Sequence, residues 1–382
     1  MLELVDRADS KSVDGNIMWV QVPSGTSLFV KKGGLVKNKI KLITNLLCGL
    51  CFVAPLNVKA ETTAQTEAEI QNPVPVIFDA DMSTDVDDLI AAKILMNYDR
   101  EGIIDLKAIM VSVNNSKGMA PKAAGGLLSA YGFNDVSVGF TNSIIEDRDI
   151  LPYWGYLSSL NNGMNPKDTA VRQYRKILAS CHGEKVVIVV TGYFNNIYDL
   201  MKSQPDDISP YNGEYLIQQN VAFFDVTGQG KGKPNKNWAT GFENNTRYYP
   251  YAYVSACNFY RELGMLGVPI YQYNEDGTMA GNIYVGGYQH LPQGDPILKC
   301  YEGAQRADTG GPGWDAIAAW LVKPLIQDTL SDYGITKEKW KIESTSERGK
   351  YFYSTPDENG NVTILNMNLG TKAYNRYIQE AY

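Results

Sequence analysis

From residue 74 onward, short apolar runs alternate with amphipathic stretches, and polar turns separate them. Val74-Pro75-Val76-Ile77-Phe78 predicts a buried strand, and Leu89-Ile90-Ala91-Ala92-Lys93-Ile94-Leu95 predicts the start of an amphipathic helix. Asp105 to Val113 predicts a second strand ending at Asn114-Asn115, Ala120 to Tyr131 a small-residue helix, and Val136 to Phe140 a third strand. Lys185 to Val190 is the clearest buried strand; it ends at Thr191-Gly192, and Asn195 to Met201 follows with a helical pattern. Gln219 to Val226 and Val268 to Tyr273 read as further strands, and Trp314 to Val322 as a strongly apolar helix. Beyond Ile335, Tyr/Phe strand signals and the turn Glu358-Asn359-Gly360-Asn361 fit either a hairpin add-on or an edge of the same domain. Such alternation predicts an α/β fold: a mostly parallel central sheet flanked by helices on both faces, Rossmann-like, in one large domain over 73–382.

Upstream, the pattern changes. Lys37, Lys39 and Lys41 precede the apolar run Leu42 to Ala54, and Val58-Lys59-Ala60 supplies small residues three and one before a cut. Residues 35–60 thus read as a secretory signal peptide cleaved near Ala60, too short for a membrane span, which predicts a periplasmic or secreted protein. Neither Cys48 nor Cys51 follows the small residues of a lipoprotein cleavage site. Residues 1–34 lie ahead of the basic segment where a start is expected, near Leu35 or Val36, and read as an upstream extension. Residues 61–72 are Glu/Thr/Gln-rich and read as a flexible lead-in.

Composition narrows the function classes. A net charge of −7 and a pI near 5.1, with no basic stripe, argue against a nucleic-acid partner. With 25 tyrosines and only 2 histidines, an aromatic-lined pocket is within reach, but a mechanism needing several histidines is not. Past Ala60 only Cys181, Cys257 and Cys300 remain, which make no disulfide framework.

The densest chemistry is a run of five aspartates, Asp79, Asp81, Asp85, Asp87 and Asp88, between the first strand and its helix. Acids at a helix start complement its dipole, which accounts for one or two of them. Five on the loop leaving a strand's carboxyl end call for a hard divalent cation, Ca²⁺ or Mg²⁺. Open α/β sheets bind their ligands at that edge. The ends at Asn114-Asn115, Thr191-Gly192, and Asp315 after Thr309-Gly310-Gly311-Pro312-Gly313 are expected to converge there.

In this order the motifs resemble the nucleoside hydrolases, the inosine–uridine-preferring superfamily. The resemblance spans about residues 74 to 325. Its opening motif corresponds to Asp79-Ala80-Asp81, a longer spacer Met82-Ser83-Thr84-Asp85-Val86, then Asp87-Asp88. Thr191-Gly192-Tyr193-Phe194-Asn195-Asn196-Ile197 matches the central motif, and Trp314-Asp315-Ala316-Ile317-Ala318-Ala319 the late metal-ligand helix. Asn237, Glu243-Asn244-Asn245, Pro250 and Ala252 fit the ribose motif without a gap.

The resemblance implies Ca²⁺ held by the carboxylates of Asp81, Asp88 and Asp315 and the backbone carbonyl of Thr191. It implies hydrolysis of the N-glycosidic bond of a ribonucleoside to ribose and free base. Asp81 would take a proton from the attacking water, and Asp87, Asn115, Asn237, Glu243 and Asn245 would bind the sugar hydroxyls. Asp79 is expected to orient loop amides, Asp85 has no assigned role, and Asn114 competes with Asn115 for the sugar contact. Where some members carry a histidine before the late aspartate, this chain has Trp314, which resembles the purine-preferring branch. Trp314 and Trp154 are the candidates for stacking on the base, Trp154 against the alternative that it is simply packed. His290 is a candidate general acid. Hydrolysis of another riboside, or a metal-dependent sugar- or nucleoside-binding protein without catalysis, are the alternative readings. The sequence leaves base preference and homo-oligomer formation open.

Overall fold

The computed structural model describes residues 17–21, 27–31, 72–82, 86–142, 152–164, 166, 168–181, 183–227, 259–273, 280–344 and 352–382. Residues 1–69 and 70–382 form two compact units. In the first, β1 (Ile17–Gln21) pairs antiparallel with β2 (Ser27–Lys31). The expected signal peptide, and the lead-in up to residue 71, lie outside the described residues. No helix among the described residues is long and apolar enough to cross a membrane.

In the second unit, seven strands run parallel in the order β9-β8-β7-β3-β4-β5-β6. They are β3 (Val74–Ala80), β4 (Ile104–Val111), β5 (Ser137–Phe140), β6 (Asp168–Thr169), β7 (Val186–Val190), β8 (Val221–Val226) and β9 (Ile270–Tyr273). Their apolar runs are buried on both faces, as parallel strands under helices must be. One face carries α1 (Asp87–Arg100), α2 (Met119–Ala130), α3 (Pro152–Ser159), α7 (Pro296–Gly303) and α8 (Trp314–Ile326). The other carries α4 (Ala170–Ser180), α5 (Asn195–Lys202) and α6 (Gly213–Asn220). A small pair, β10 (Tyr284–Val285) and β11 (Gly311–Pro312), leads into α8.

The carboxyl segment is an edge of the same sheet. β14 (Val362–Met367) joins β9 in parallel, and β12 (Ile335–Ser344) and β13 (Phe352–Pro356) continue antiparallel, giving ten strands. The last helix, α9 (Thr371–Gln379), sends Tyr374 and Tyr377 onto Trp320 of α8. Strand boundaries shift by one or two residues from the sequence expectation: β4 ends at Val111, not Val113, and β9 starts at Ile270, not Val268. Gln219 and Asn220 close α6, whose N-cap Asn212 accepts from Tyr215 N, and the strand starts only at Val221.

β3 sits where strand order reverses: β4, β5 and β6 lie to one side, β7, β8 and β9 to the other. The acidic loop therefore leaves the sheet at its topological switch point, the crevice where such sheets bind ligands.

Candidate metal centre

The strand ends are laced together before any side-chain chemistry begins. Thr191 N and Gly192 N both donate to the Asp79 carbonyl, and Ser112 N donates to Ala80 O. Ser112 Oγ accepts from Tyr193 N at 2.9 Å, and Asn195 Nδ2 donates to Ser112 O and Thr141 Oγ1. Gly192 explains the weak-looking Thr-Gly signature. A Cβ there would lie 2.4 Å from Asp81 N and 2.4 Å from Ser112 Oγ, so only glycine lets the end of β7 reach the acidic loop.

The loop itself is clamped. Met82 is fully buried with a left-handed φ of 51°, a conformation that a residue with a Cβ holds only when its surroundings enforce it. Its amide donates to Asp88 Oδ1 at 3.2 Å, and its carbonyl accepts from Tyr153 OH at 2.8 Å and Trp154 Nε1 at 2.7 Å. Trp154 is fully enclosed, so the structure supports packing, not base stacking, for this side chain. Trp154→Phe, which keeps the bulk and loses the donor, is expected to cost about 1 kcal/mol of stability and to slow turnover equally on every substrate. A loss confined to purine substrates, measured as kcat/KM, would return Trp154 to a stacking role.

Beyond the loop, Asp87 and Asp88 fill the first turn of α1, favoured there by the helix dipole. Asp315 occupies the first turn of α8, with Gly313 as N-cap, and its amide donates to Asp87 Oδ2 at 2.9 Å. One carboxylate oxygen from each of Asp87, Asp88 and Asp315 lies within 4.8 Å of the others. Three carboxylates at that spacing repel strongly unless a cation sits among them, and an all-oxygen donor set suits a hard divalent ion.

This grouping differs from the expected one. Asp87, assigned to the sugar, is drawn in by the amide at the start of α8, while the half-buried Asp81, one residue past β3, is not part of it. Thr191 is buried at the end of β7, and its Oγ1 has no hydrogen-bond partner among the described residues. Trp314 opens α8 half-buried against the core, and its carbonyl accepts from Tyr273 OH.

Asn115 is separated from Asn114 by its bonding. Asn114 Oδ1 accepts from Asn115 N, whereas Asn115 Oδ1 accepts from Lys117 N and Met119 N at the start of α2. The buried Asn115 Nδ2 has no acceptor among the described residues. His290 meets Gln379 of α9 at 3.0 Å, in a cavity of about 730 Å³ shared with Lys372 and Arg376, and burial lowers its pKa. Asp85, Asn237, Glu243 and Asn245 lie outside the described residues.

Asp79 does not orient loop amides with its carboxylate, as expected. The side chain accepts instead from Tyr174 OH of α4 at 2.7 Å and Asn196 Nδ2 of α5 at 3.1 Å. Burial pushes its carboxyl up to about 7, although both donors pull it down. A carboxyl raised in the folded state stabilises the fold only while it is protonated. Metal-free protein should thus lose stability between about pH 4 and about pH 7, by up to about 4 kcal/mol, and level off above. Asp79→Asn should flatten that part of the profile. Urea midpoints of both proteins across the window would check it, and parallel profiles would mean that Asp79 is ionised throughout.

No protein-family model matches the chain, and no curated protein sequence does. Solved structures do resemble it. The type III effector protein XopQ, complexed with adenosine diphosphate ribose, superposes with a TM-score of 0.55 at 14% identity, over 81% of this chain and 93% of that one. The effector protein XOO4466 superposes at 0.53 and 14%, with the same coverage. The fold is nucleoside hydrolase-like. At this identity the likeness is one of fold, and the chemistry of the site has to be argued from its own residues.

Proposed function

We propose that the chain is a divalent-cation-dependent hydrolase that cleaves the N-glycosidic bond of ribosides. The observation that carries this reading is the convergence of Asp87, Asp88 and Asp315 at the switch point of a nucleoside hydrolase-like sheet. These carboxylates, with the backbone carbonyl of Thr191, would hold a Ca²⁺ ion, which when bound supplies an acidified water and an anchor for sugar hydroxyls.

The protein's own residues do the rest. Asp81, at the end of β3, would take the proton of the attacking water as general base. Asn115 Nδ2 would donate to a sugar hydroxyl, since its carbonyl is already committed to α2. Asn237, Glu243 and Asn245 would complete the sugar contacts, which gain most in strength as the ring takes on oxocarbenium character. Base selection falls to Trp314 once Trp154 is enclosed. The purine preference that both tryptophans suggested therefore rests on one side chain.

A second substrate reading follows from the structure solved with adenosine diphosphate ribose. The same ribose chemistry would serve a riboside with a diphosphate at its far end. Residues 61–382 should be assayed with inosine, adenosine, guanosine, uridine and ADP-ribose, with Ca²⁺ and with a strong chelator. Release of free base that stops on chelation supports the proposal, and the best substrate decides between the two readings. No release from any of them at high enzyme concentration would sink it, and sugar binding without release would favour a binding protein.

A further inference from the structure

A second set of buried side-chain oxygens, at the ends of β7 and β8, is not used by the chemistry above. Asp225, the penultimate residue of β8, is fully buried, and neither of its carboxylate oxygens has a hydrogen-bond partner among the described residues. Thr227 is 2% exposed and Thr191 7% exposed, and the Oγ1 of each is equally unmatched. Buried polar atoms are nearly always satisfied, so four such oxygens at two adjacent strand ends call for an explanation.

Register places the three side chains together. Val189 pairs with Asp225 and Val190 with Val226, and Thr227 N donates to Val190 O, which continues the ladder and sets Thr227 beside Thr191. Side chains alternate across a strand. Val187 and Val189 belong to the core under α8, whereas Ile188, Val190, Phe224 and Val226 face the opposite core. Asp225, Thr227 and Thr191 therefore share the face covered by α8, whose first turn carries Asp315.

Charge then restricts what can satisfy them. Burial alone holds the Asp225 carboxyl well above the usual carboxylate range, so its ionised form needs a positive charge beside it. The described buried cations are committed elsewhere: Lys93 pairs with Asp295 and Arg175 with Asp206. One carboxylate and two neutral hydroxyls form an oxygen donor set of single negative charge, which balances a monovalent ion. The three-carboxylate cluster matches a divalent one.

We propose that Asp225, with the hydroxyls of Thr227 and Thr191, forms a buried site for a monovalent alkali cation on the sheet face covered by α8. The ion would lock the ends of β7 and β8 together under α8.

The test is thermal unfolding of the full chain, with chelator present, in NaCl, KCl and tetramethylammonium chloride at equal ionic strength. The bulky organic cation cannot enter a closed site. The wild type should melt roughly 3–6 °C higher in NaCl or KCl. Asp225→Asn should abolish the difference, and Asp88→Asn should keep it. Should Asp225→Asn fail to fold, Thr227→Val, which is nearly isosteric, should shrink the difference. Equal melting temperatures in all three salts would overturn the proposal, as would a difference that Thr227→Val leaves intact. No substrate enters the measurement, so the ribohydrolase reading can fail without affecting it.

Discussion

Asp81→Ala is expected to lower turnover by about a thousand-fold or more, while riboside binding weakens far less. General-base catalysis is worth about 10²–10⁴ in rate, and a residue placed to act on the water contributes little to holding the ground state. The carboxylates that the structure brings within 4.8 Å of one another are those of Asp87, Asp88 and Asp315. Removing Asp81 should leave the ion's main ligands in place. Asp88→Ala removes one of them and should raise the cation concentration needed for half-maximal activity. Titrating Ca²⁺ into both variants separates the two effects. A shift in cation requirement equal to that of Asp88→Ala would show that Asp81 is chiefly a ligand.

The second large effect is on stability. Lys93→Met should cost about 3–5 kcal/mol, read from urea unfolding. Lys93 Nζ lies 2.5 Å from Asp295 Oδ2 in the interior, and Asp295 Oδ1 accepts from Tyr131 OH at 2.5 Å while also capping α7 through Ile297 N. Removing the ammonium leaves a buried carboxylate without its counter-charge. Lys93 lies on the helix that begins with Asp87 and Asp88, so the pair also fixes the direction in which α1 presents them. The double variant Lys93→Met, Asp295→Leu should recover much of the loss, because replacing both partners leaves no orphaned charge. Equal losses for single and double variants would mean that packing, not charge, dominates at this position.

Much of the fold was legible because parallel strands buried on both faces leave continuous apolar runs. Val186–Val190 and Val74–Ala80 needed no other signal. Gln219-Asn220 was misread because α6 runs into β8 without a turn, so neither glycine nor proline marks the change of period. The acidic loop was legible as chemistry, but its division of labour was not. That Asp87 joins Asp88 follows from the amide of Asp315, contributed from 228 residues further along the chain. Trp154 likewise reads either as a stacking wall or as a packed aromatic until the carbonyl of Met82 is seen to take its N–H. Asp225 gave no sign at all. One acid in an apolar strand becomes conspicuous only when its neighbours leave it unsatisfied.

The added strands have a consequence for how the chain can be cut. β14 covers the flank of β9, and β13 in turn ends the sheet. A product truncated after Gly334 would present the bare edge of β9 to solvent, with unmatched amides and carbonyls ready to accept a strand from another molecule. It would also strip Tyr374 and Tyr377 from Trp320. Such a fragment keeps every proposed catalytic residue, yet it should self-associate before it can work.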